Sequence, residues 1–191
     1  MTKQVWLLAV IFLTGCSEFW VKPKPASVVE IDTNHWVLKG RLGVKSEEDA
    51  WSASFVWEQN QADYAIQIVA PLGQGTINIT GGEQFVIAKY PDGQIIQYLE
   101  PDQVFQEALG VVIPVSSLRF WVMGQENKTT AAKIRRNPEG KIEEIIQDGW
   151  EVSYLRYSSD NGLPSKIFIE DDPVEVKLII KEWEFGANDG G

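Results

Sequence analysis

Alternation of apolar and polar residues with a period of two is the feature that most limits what this chain can fold into. In residues 51–57, large apolar residues or alanine occupy every second position and Ser52 and Ser54 stand between them. Because successive side chains of a strand point to opposite faces, this pattern predicts a strand with one buried face. The pattern recurs at 64–70 and 76–80, which predicts neighbouring strands of one sheet.

Turn residues separate these alternating stretches at short intervals. Asp92-Gly93 joins residues 85–90 to 94–99, a spacing typical of a tight hairpin whose turn needs positive φ. Further strands are predicted from Trp36 onward and at 131–137, 142–147, 150–158, 165–170 and 174–183. The pattern gives about eleven short strands, which favours a mainly β protein with an antiparallel sheet curled into a barrel or half-barrel.

The middle of the chain, residues 101–124, departs from this period. Apolar residues recur at helical spacing over 104–109 and again over 118–122, and Gly110 and Gly124 follow them. Two short helices are therefore predicted between the strands. A curled sheet leaves an apolar interior, which such helices could cover. Periodicity leaves open whether that interior is packed solid or hollow.

The N-terminus has the layout of a secretory signal. Lys3 precedes nine apolar residues at 5–13, well short of the about 20 that a membrane-spanning helix needs. Leu13-Thr14-Gly15-Cys16 resembles the lipobox of bacterial lipoproteins. The resemblance implies that Cys16 carries an S-diacylglycerol and an N-palmitoyl group. The alternative is an incidental or buried cysteine behind an ordinary signal.

Composition and charge limit the rest of the chain. We expect a signal peptide at 1–15, an anchor and tether at 16–35, one domain at 36–185 and a flexible tail at 186–191. Lys22-Pro23-Lys24-Pro25 predicts an extended tether, because proline disfavours helix. The net charge of -10 argues against nucleic acid as a partner, since phosphates require a basic surface. It also repels anionic lipid, so attachment to a membrane must come from acyl chains or apolar side chains.

Short apolar motifs follow one another in a fixed order along the predicted domain. They are Phe55-Val56-Trp57, Ala70-Pro71-Leu72-Gly73, Leu109-Gly110 with Ile113-Pro114, the stretch 118–124, Gly149-Trp150 with Tyr154, and Trp183. From about Trp36 to Trp183 this series resembles the LolB family, the outer-membrane lipoprotein receptors. The resemblance implies an unclosed antiparallel β-barrel with short helices as a lid over an apolar cavity.

The resemblance also implies a place and a task. Members of the family are lipid-anchored in the bacterial outer membrane and face the periplasm. They accept acylated lipoproteins from a LolA-type periplasmic carrier and insert the acyl chains into the inner leaflet. The expected partners are therefore the carrier, the lipoprotein cargo and outer-membrane phospholipid, and we expect the protein itself to be a monomer. Ser17 after Cys16 agrees with residence in the outer membrane, because the family's sorting logic retains lipoproteins in the inner membrane mainly when aspartate stands there.

Pro71, Leu72 and Gly73 are the candidate membrane-insertion loop. Proline fixes φ and glycine permits a turn, so Leu72 is predicted at the tip between the strands 64–70 and 76–80. In the family, a leucine in this motif protrudes into solvent and is needed for insertion. The alternative is that Leu72 folds back as a minor core residue.

Apolar residues on the predicted strands and helices are candidates for contact with acyl chains, although most would be core in any barrel. The candidates are Phe55, Trp57, Ile66, Ile68, Ile77, Ile79, Phe105, Leu109, Leu118, Trp121 and Val122.

The sequence predicts no enzyme, no cofactor and no metal site. His35 is the only histidine and has no visible catalytic partner. Acidic pairs such as Glu143-Glu144 point to opposite faces of a strand and match no metal-binding loop. Two other classes of protein stay open: a lipid-anchored binding module for another apolar ligand, and a non-catalytic structural lipoprotein of the envelope.

Overall fold

The computed structural model describes residues 34–70 and 75–186. Its elements in chain order are β1 (His35–Lys45), β2 (Ala50–Asn60), β3 (Asp63–Val69), β4 (Thr76–Gly81), β5 (Val86–Lys89), β6 (Ile95–Tyr98), α1 (Gln103–Leu109), α2 (Val115–Trp121), β7 (Ala132–Arg136), β8 (Ile142–Gln147), β9 (Trp150–Tyr157), β10 (Pro164–Asp171) and β11 (Val174–Phe185).

All eleven strands of the described residues lie in one antiparallel sheet, in the order β6-β5-β4-β3-β2-β1-β11-β10-β9-β8-β7. Strands β1 to β6 follow one another outward from the middle of the sheet. The chain then passes to the opposite edge at β7 and returns strand by strand to β11, which pairs with β1. Strands β6 and β7 are the two edges, so the sheet is unclosed. The predicted fold class is confirmed.

One face of the sheet, the inner face, carries the core. Every second residue of β1 from Trp36 to Val44 is buried, as the period-two pattern predicts. The strand register places these apolar residues opposite one another: Trp57 pairs with Leu38 on one side and with Ile66 on the other. Ile66 in turn pairs with Ile79. Such cross-strand pairs stabilise the sheet and make its inner face continuously apolar.

The connection between the two edge strands covers the inner face. Residues 99–131 lead from β6 to β7 and contain both helices. Phe105 and Leu109 of α1 and Leu118 and Trp121 of α2 are buried in the same apolar cluster as the strand residues. The predicted helix end at Gly110 is confirmed, since Gly110 has φ 73° and its N–H donates to the carbonyl of Gln106.

Tight turns join the strands where glycine was expected to supply positive φ. Gly93 has φ 89°, and the N–H of Tyr90 donates to the carbonyl oxygen of Gln94 at 2.9 Å across the turn. Asp148 and Gly149 both have positive φ, 55° and 88°, as a type I′ hairpin turn requires. Strands β5, β6 and β7 are each one residue shorter at both ends than predicted.

An aromatic cluster fills one end of the inner face. The Trp36 ring centroid lies 5.3 Å from those of both Trp57 and Trp183, with tilted and edge-on geometry. Trp183 stacks on Phe185 at 5.6 Å. The indole N–H of Trp57 donates to Oε1 of Gln59 at 3.1 Å, which satisfies a buried donor. The cluster joins β1, β2 and β11 in the middle of the sheet.

Gly40 lets two neighbouring strands approach β1 closely. The β1–β11 register shifts between Lys39 and Gly40, which marks a bulge. A Cβ at Gly40 would lie 2.4 Å from the carbonyl oxygen of Ile179 and 3.1 Å from Cε1 of Phe55. Only glycine fits between this backbone and this ring.

Gly40→Ala is expected to lower the free energy of unfolding by about 1–3 kcal/mol, because the new methyl group must displace backbone or the Phe55 ring. Gly43→Ala in the same strand is the matched control, since a Cβ there meets only atoms of Lys177 at 4.0 Å. We expect that variant to be neutral or more stable by up to about 1 kcal/mol. Urea unfolding followed by tryptophan fluorescence measures the free energy of unfolding of both variants. An equal loss of stability in the two would contradict the close approach at Gly40.

Candidate functional site

A small cavity lies between the inner face and the helical connection. Its volume is about 30 Å³, and every side chain around it is apolar. The lining residues are Leu42, Phe55, Trp57, Ile66, Ile68, Phe105, Leu109, Ile113, Leu118, Val176 and Leu178. The cavity is therefore suited to an apolar ligand, and it offers no polar group that would orient a polar one.

The structure brings most of the predicted cavity residues together. Phe55, Trp57, Ile66 and Ile68 from β2 and β3, Phe105 and Leu109 from α1, and Leu118 from α2 all line the cavity. The four remaining candidates do not line it. Ile79, Trp121 and Val122 are fully buried elsewhere in the core, and Ile77 is partly buried against it.

Sequence reasoning missed four lining residues: Leu42, Ile113, Val176 and Leu178. Leu42 and Leu178 belong to alternating strands, but their proximity depends on the pairing of β1 with β11, in which they are direct partners. That pairing joins opposite ends of the domain, and local periodicity carries no information about it. Ile113 lies in the segment between the helices, where no period marks it as buried.

The cavity is too small for an acyl chain in this conformation. Pockets that enclose drug-sized ligands have about 300–1,000 Å³, whereas this one has about 30 Å³. Phe105, Leu109 and Ile113 occupy the space next to the strands. A long apolar ligand can therefore enter only if the segment that carries these side chains moves away from the sheet.

Helix α2 is fixed to the sheet by a buried polar network centred on Gln147. Oε1 of Gln147 accepts from the indole N–H of Trp121 at 2.9 Å and from the backbone N–H of Asn127 at 3.0 Å. Its Nε2 donates to the carbonyl of Asn127 at 2.6 Å and to Thr130. Because buried polar groups are costly when unpaired, the bond from Trp121 opposes movement of α2, and the other bonds hold the segment that follows the helix.

Two more bonds tie α2 to β9 and to the turn that precedes it. The Ser117 hydroxyl donates to Oδ2 of Asp148 at 2.6 Å and accepts from Nδ2 of Asn127 at 3.0 Å. The Tyr154 hydroxyl donates to the carbonyl oxygen of Trp121 at 2.8 Å. Burial raises the pKa of Tyr154, which keeps this donor protonated. Helix α2 is therefore the fixed part of the cover.

Helix α1 has fewer polar bonds to the rest of the domain than α2 has. In the described part of the chain, one side-chain hydrogen bond reaches it, from the Tyr98 hydroxyl to Oε2 of Glu107 at 2.9 Å. Asp102, just before α1, accepts from the backbone N–H of Val115 at 2.9 Å. Burial raises the pKa of the Asp102 carboxyl, and the backbone donors of Ser116 and Val115 oppose that shift. Since α1 depends mainly on apolar packing, α1 and the segment 110–114 are the part of the cover that can move.

The other two predicted sites lie outside the described residues. Cys16 precedes them, and Pro71, Leu72 and Gly73 fall in the gap between 70 and 75. The ends of that gap are joined, since the N–H of Ala70 donates to the carbonyl of Gly75 at 3.0 Å. A Cβ at Gly75 would come within 2.5 Å of Pro91, so Gly75 packs closely against this proline.

His35 and the acidic side chains are the remaining residues that the sequence analysis considered for other chemistry. His35 is exposed at the start of β1. No group of three or more histidine, cysteine, aspartate or glutamate residues in the ranges 34–70 and 75–186 could bind a metal ion. In the same ranges, no helix combines the length and apolarity that a membrane crossing requires.

Comparison with known proteins agrees with the resemblance drawn from the motifs. The family model described as outer membrane lipoprotein LolB matches residues 34–183. The chain belongs to the LolB family. It is 31% identical over 164 residues to the outer-membrane lipoprotein LolB of Marinomonas sp. (strain MWYL1), and the aligned region covers 84% of each chain. It is 30% identical over 172 residues to the protein of the same name from Pseudomonas aeruginosa (strain PAO1), covering 89% of this chain and 82% of that protein.

A solved structure supports the fold independently of sequence. A LolA superfamily protein from Nitrosomonas europaea superposes with a TM-score of 0.55 at 10% identity, covering 81% of this chain and 87% of that one. At this identity the likeness concerns the fold alone. The LolB relatives are named outer-membrane lipoproteins, which supports a role in lipoprotein localisation and a location in the outer membrane for this member of the family.

The difference between the two helices predicts a difference in local opening. We expect the hydrogen-bonded amides of α1 to exchange with solvent at least about tenfold faster than those of α2, because few polar bonds oppose the opening of α1. Hydrogen exchange followed by mass spectrometry or NMR measures both rates. Equal protection of the two helices would contradict a mobile α1 on a fixed α2.

A pair of glutamine variants provides the control for that experiment. Gln147→Leu removes the centre of the buried network, so the exchange of α2 is expected to rise towards that of α1. Gln67→Leu removes an exposed glutamine whose side-chain Nε2 donates to Oδ1 of Asn78 in the sheet, at 3.2 Å. We expect that variant to leave the amide exchange rates of both helices unchanged.

Proposed function

We propose that this protein accepts acylated lipoproteins from a LolA-type periplasmic carrier and inserts their acyl chains into the inner leaflet of the outer membrane. The observation that carries the proposal is the wholly apolar cavity under a helix with few polar attachments, in a member of the LolB family. In this proposal, acyl groups on Cys16 anchor the protein with its domain on the periplasmic side.

Acyl chains need a sheltered route through water. Burial of each CH₂ group stabilises a chain by about 0.8 kcal/mol, so a long acyl chain represents on the order of 10 kcal/mol. Free release into the periplasm is therefore strongly disfavoured. A transfer from one covered apolar site to another, and then into lipid, avoids that cost and requires no covalent step. The proposed function is accordingly that of a receptor and not of an enzyme.

The side chains of the cover compete with the cargo for the same space. Phe105, Leu109 and Ile113 must leave the inner face when an acyl chain enters, and they return when it leaves. Their return restores the buried apolar contacts of the empty protein. This compensation weakens net binding of the cargo relative to a bilayer, where no protein contact has to break. The direction of transfer then follows from the difference in affinity.

Release into the membrane is assigned to Leu72. We place this leucine, with Pro71 and Gly73, at the exposed turn between β3 and β4, where it would enter the acyl region of the bilayer beside the anchor. The net charge of -10 disfavours electrostatic attraction to anionic lipid, so an apolar contact suits this step.

Photo-crosslinking tests whether the cargo enters the cavity. We expect Ile113→p-benzoylphenylalanine to form an adduct with the lipoprotein after transfer from a loaded carrier to the anchored protein in liposomes, because Ile113 lines the cavity and is buried. Leu155→p-benzoylphenylalanine is the control, since Leu155 is 56% exposed on β9 and lines no part of the cavity.

Two outcomes of that experiment would contradict the proposed route. One is an adduct at position 155 equal to that at position 113. The other is cargo transfer at the normal rate with no adduct at position 113 or at Leu109→p-benzoylphenylalanine, which probes the same cavity from α1.

A second experiment separates acceptance from insertion. Leu72→Glu is expected to accept the lipoprotein from the carrier normally but to block its insertion into liposomes, because a charge at the tip opposes entry into the acyl region. Leu155→Glu places the same charge at another exposed leucine and is expected to insert normally. Flotation of liposomes after transfer measures insertion. Normal insertion by Leu72→Glu would refute the role of the loop.

A further inference from the structure

Two tyrosine hydroxyls and one carboxylate connect α1 to the edge of the sheet. The Tyr98 hydroxyl donates to Oε2 of Glu107 in α1 at 2.9 Å, and the Tyr90 hydroxyl lies 2.8 Å from that of Tyr98. A carboxylate can only accept, so the hydrogen of Tyr98 points to Glu107 and Tyr90 donates to Tyr98. Burial raises the pKa of Tyr98, which keeps this donor protonated.

This bond connects the core of the sheet to the exposed side of α1. Tyr98 is 5% exposed and pairs with Val86 in the edge strand β6, whereas Glu107 is exposed. Phe105 and Leu109, on the buried side of the same helix, line the apolar cavity. The bond from Tyr98 to Glu107 therefore holds in place the helix whose other side covers the cavity.

The bond can break without leaving a buried polar group unpaired. If α1 moves away, the carboxylate of Glu107 remains in water, because it is already exposed. The Tyr98 hydroxyl can then turn and donate to that of Tyr90, which is close enough to accept. The buried network of Gln147 has no such substitute within the distances described, so its opening is more costly. The bond at α1 is thus a restraint that can be released and formed again.

A restraint of this kind sets how often the cavity is accessible. A ligand that binds only a minor open form binds more weakly in proportion to the population of that form. Each bond that holds α1 closed lowers the population. We propose that Tyr98 is a positioning residue that holds α1 over the apolar cavity through Glu107 and thereby limits the entry of acyl chains. This proposal rests on the proposed function, because it requires the cargo to enter beneath α1.

The test uses the full-length protein anchored in liposomes and two measurements. Hydrogen exchange of α1 without cargo reports on opening alone. For the second measurement, every variant also carries Ile113→p-benzoylphenylalanine and is mixed with a carrier loaded with a lipoprotein. Illumination at increasing times after mixing gives the initial rate at which the cargo adduct forms. Tyr98→Phe removes only the hydroxyl, and Glu107→Ala removes its acceptor.

Both variants are expected to give a gain and not a loss. We expect the amides of α1 to exchange about threefold faster or more, with α2 unchanged, and the adduct to form faster by a similar factor. The variant with both changes should show no more than either single change, because the two residues share one bond. Alanine favours helix more than glutamate does, so faster exchange in Glu107→Ala cannot come from helix propensity.

Tyr157→Phe is the matched control. Its hydroxyl donates to the carbonyl oxygen of Ile142 at 2.5 Å, a bond between β8 and β9 that does not involve α1. The substitution removes the same group from the same type of residue. We expect the exchange of α1 and the rate of adduct formation to stay as in the unchanged protein.

Three results would overturn the proposal. The first is unchanged exchange of α1 in both variants. The second is an equal rise in α1 and α2, since the bond would then stabilise the domain as a whole. The third is faster exchange of α1 with adduct formation that is no faster, which would show that α1 does not limit entry. If Tyr98→Phe does not fold, Glu107→Ala decides, because position 107 is exposed.

Failure of the proposed function gives a different result. Cargo transfer with no adduct at position 113, in the protein that keeps Tyr98 and Glu107, would refute the route through the cavity and this proposal with it. Formation of that adduct at a rate that neither substitution increases would refute the role of Tyr98 alone.

Discussion

The packing of residues 99–131 against the inner face of an unclosed sheet is the constraint on which the rest of this structure depends. Eleven strands leave edges at β6 and β7, and the inner face between them is continuously apolar. Exposure of that face to water would be strongly unfavourable. The chain covers it with the segment that must in any case connect the two edges. The cover is therefore part of the fold and at the same time the boundary of the apolar cavity.

The two halves of the cover combine stability with mobility. Polar bonds to Gln147, Asp148 and Tyr154 concentrate on α2, whereas α1 relies on apolar contacts and a bond to Glu107. Apolar contacts are not directional, so an acyl chain can replace them without leaving an unpaired polar group. A buried hydrogen-bond network lacks that tolerance. The distribution of polar bonds thus determines which helix can give way to a ligand.

Local patterns in the sequence determined the strands, the turn at Asp92-Gly93 and the end of α1 at Gly110, because side-chain period and glycine conformation act over a few residues. They also identified cavity residues such as Phe55, Phe105 and Leu118 as apolar and inward-facing. Only the tertiary structure decided that Leu42 meets Leu178 and that Gln147 binds the indole of Trp121 in α2. These features depend on which distant segments come together, and a period of two is the same whichever strand lies alongside.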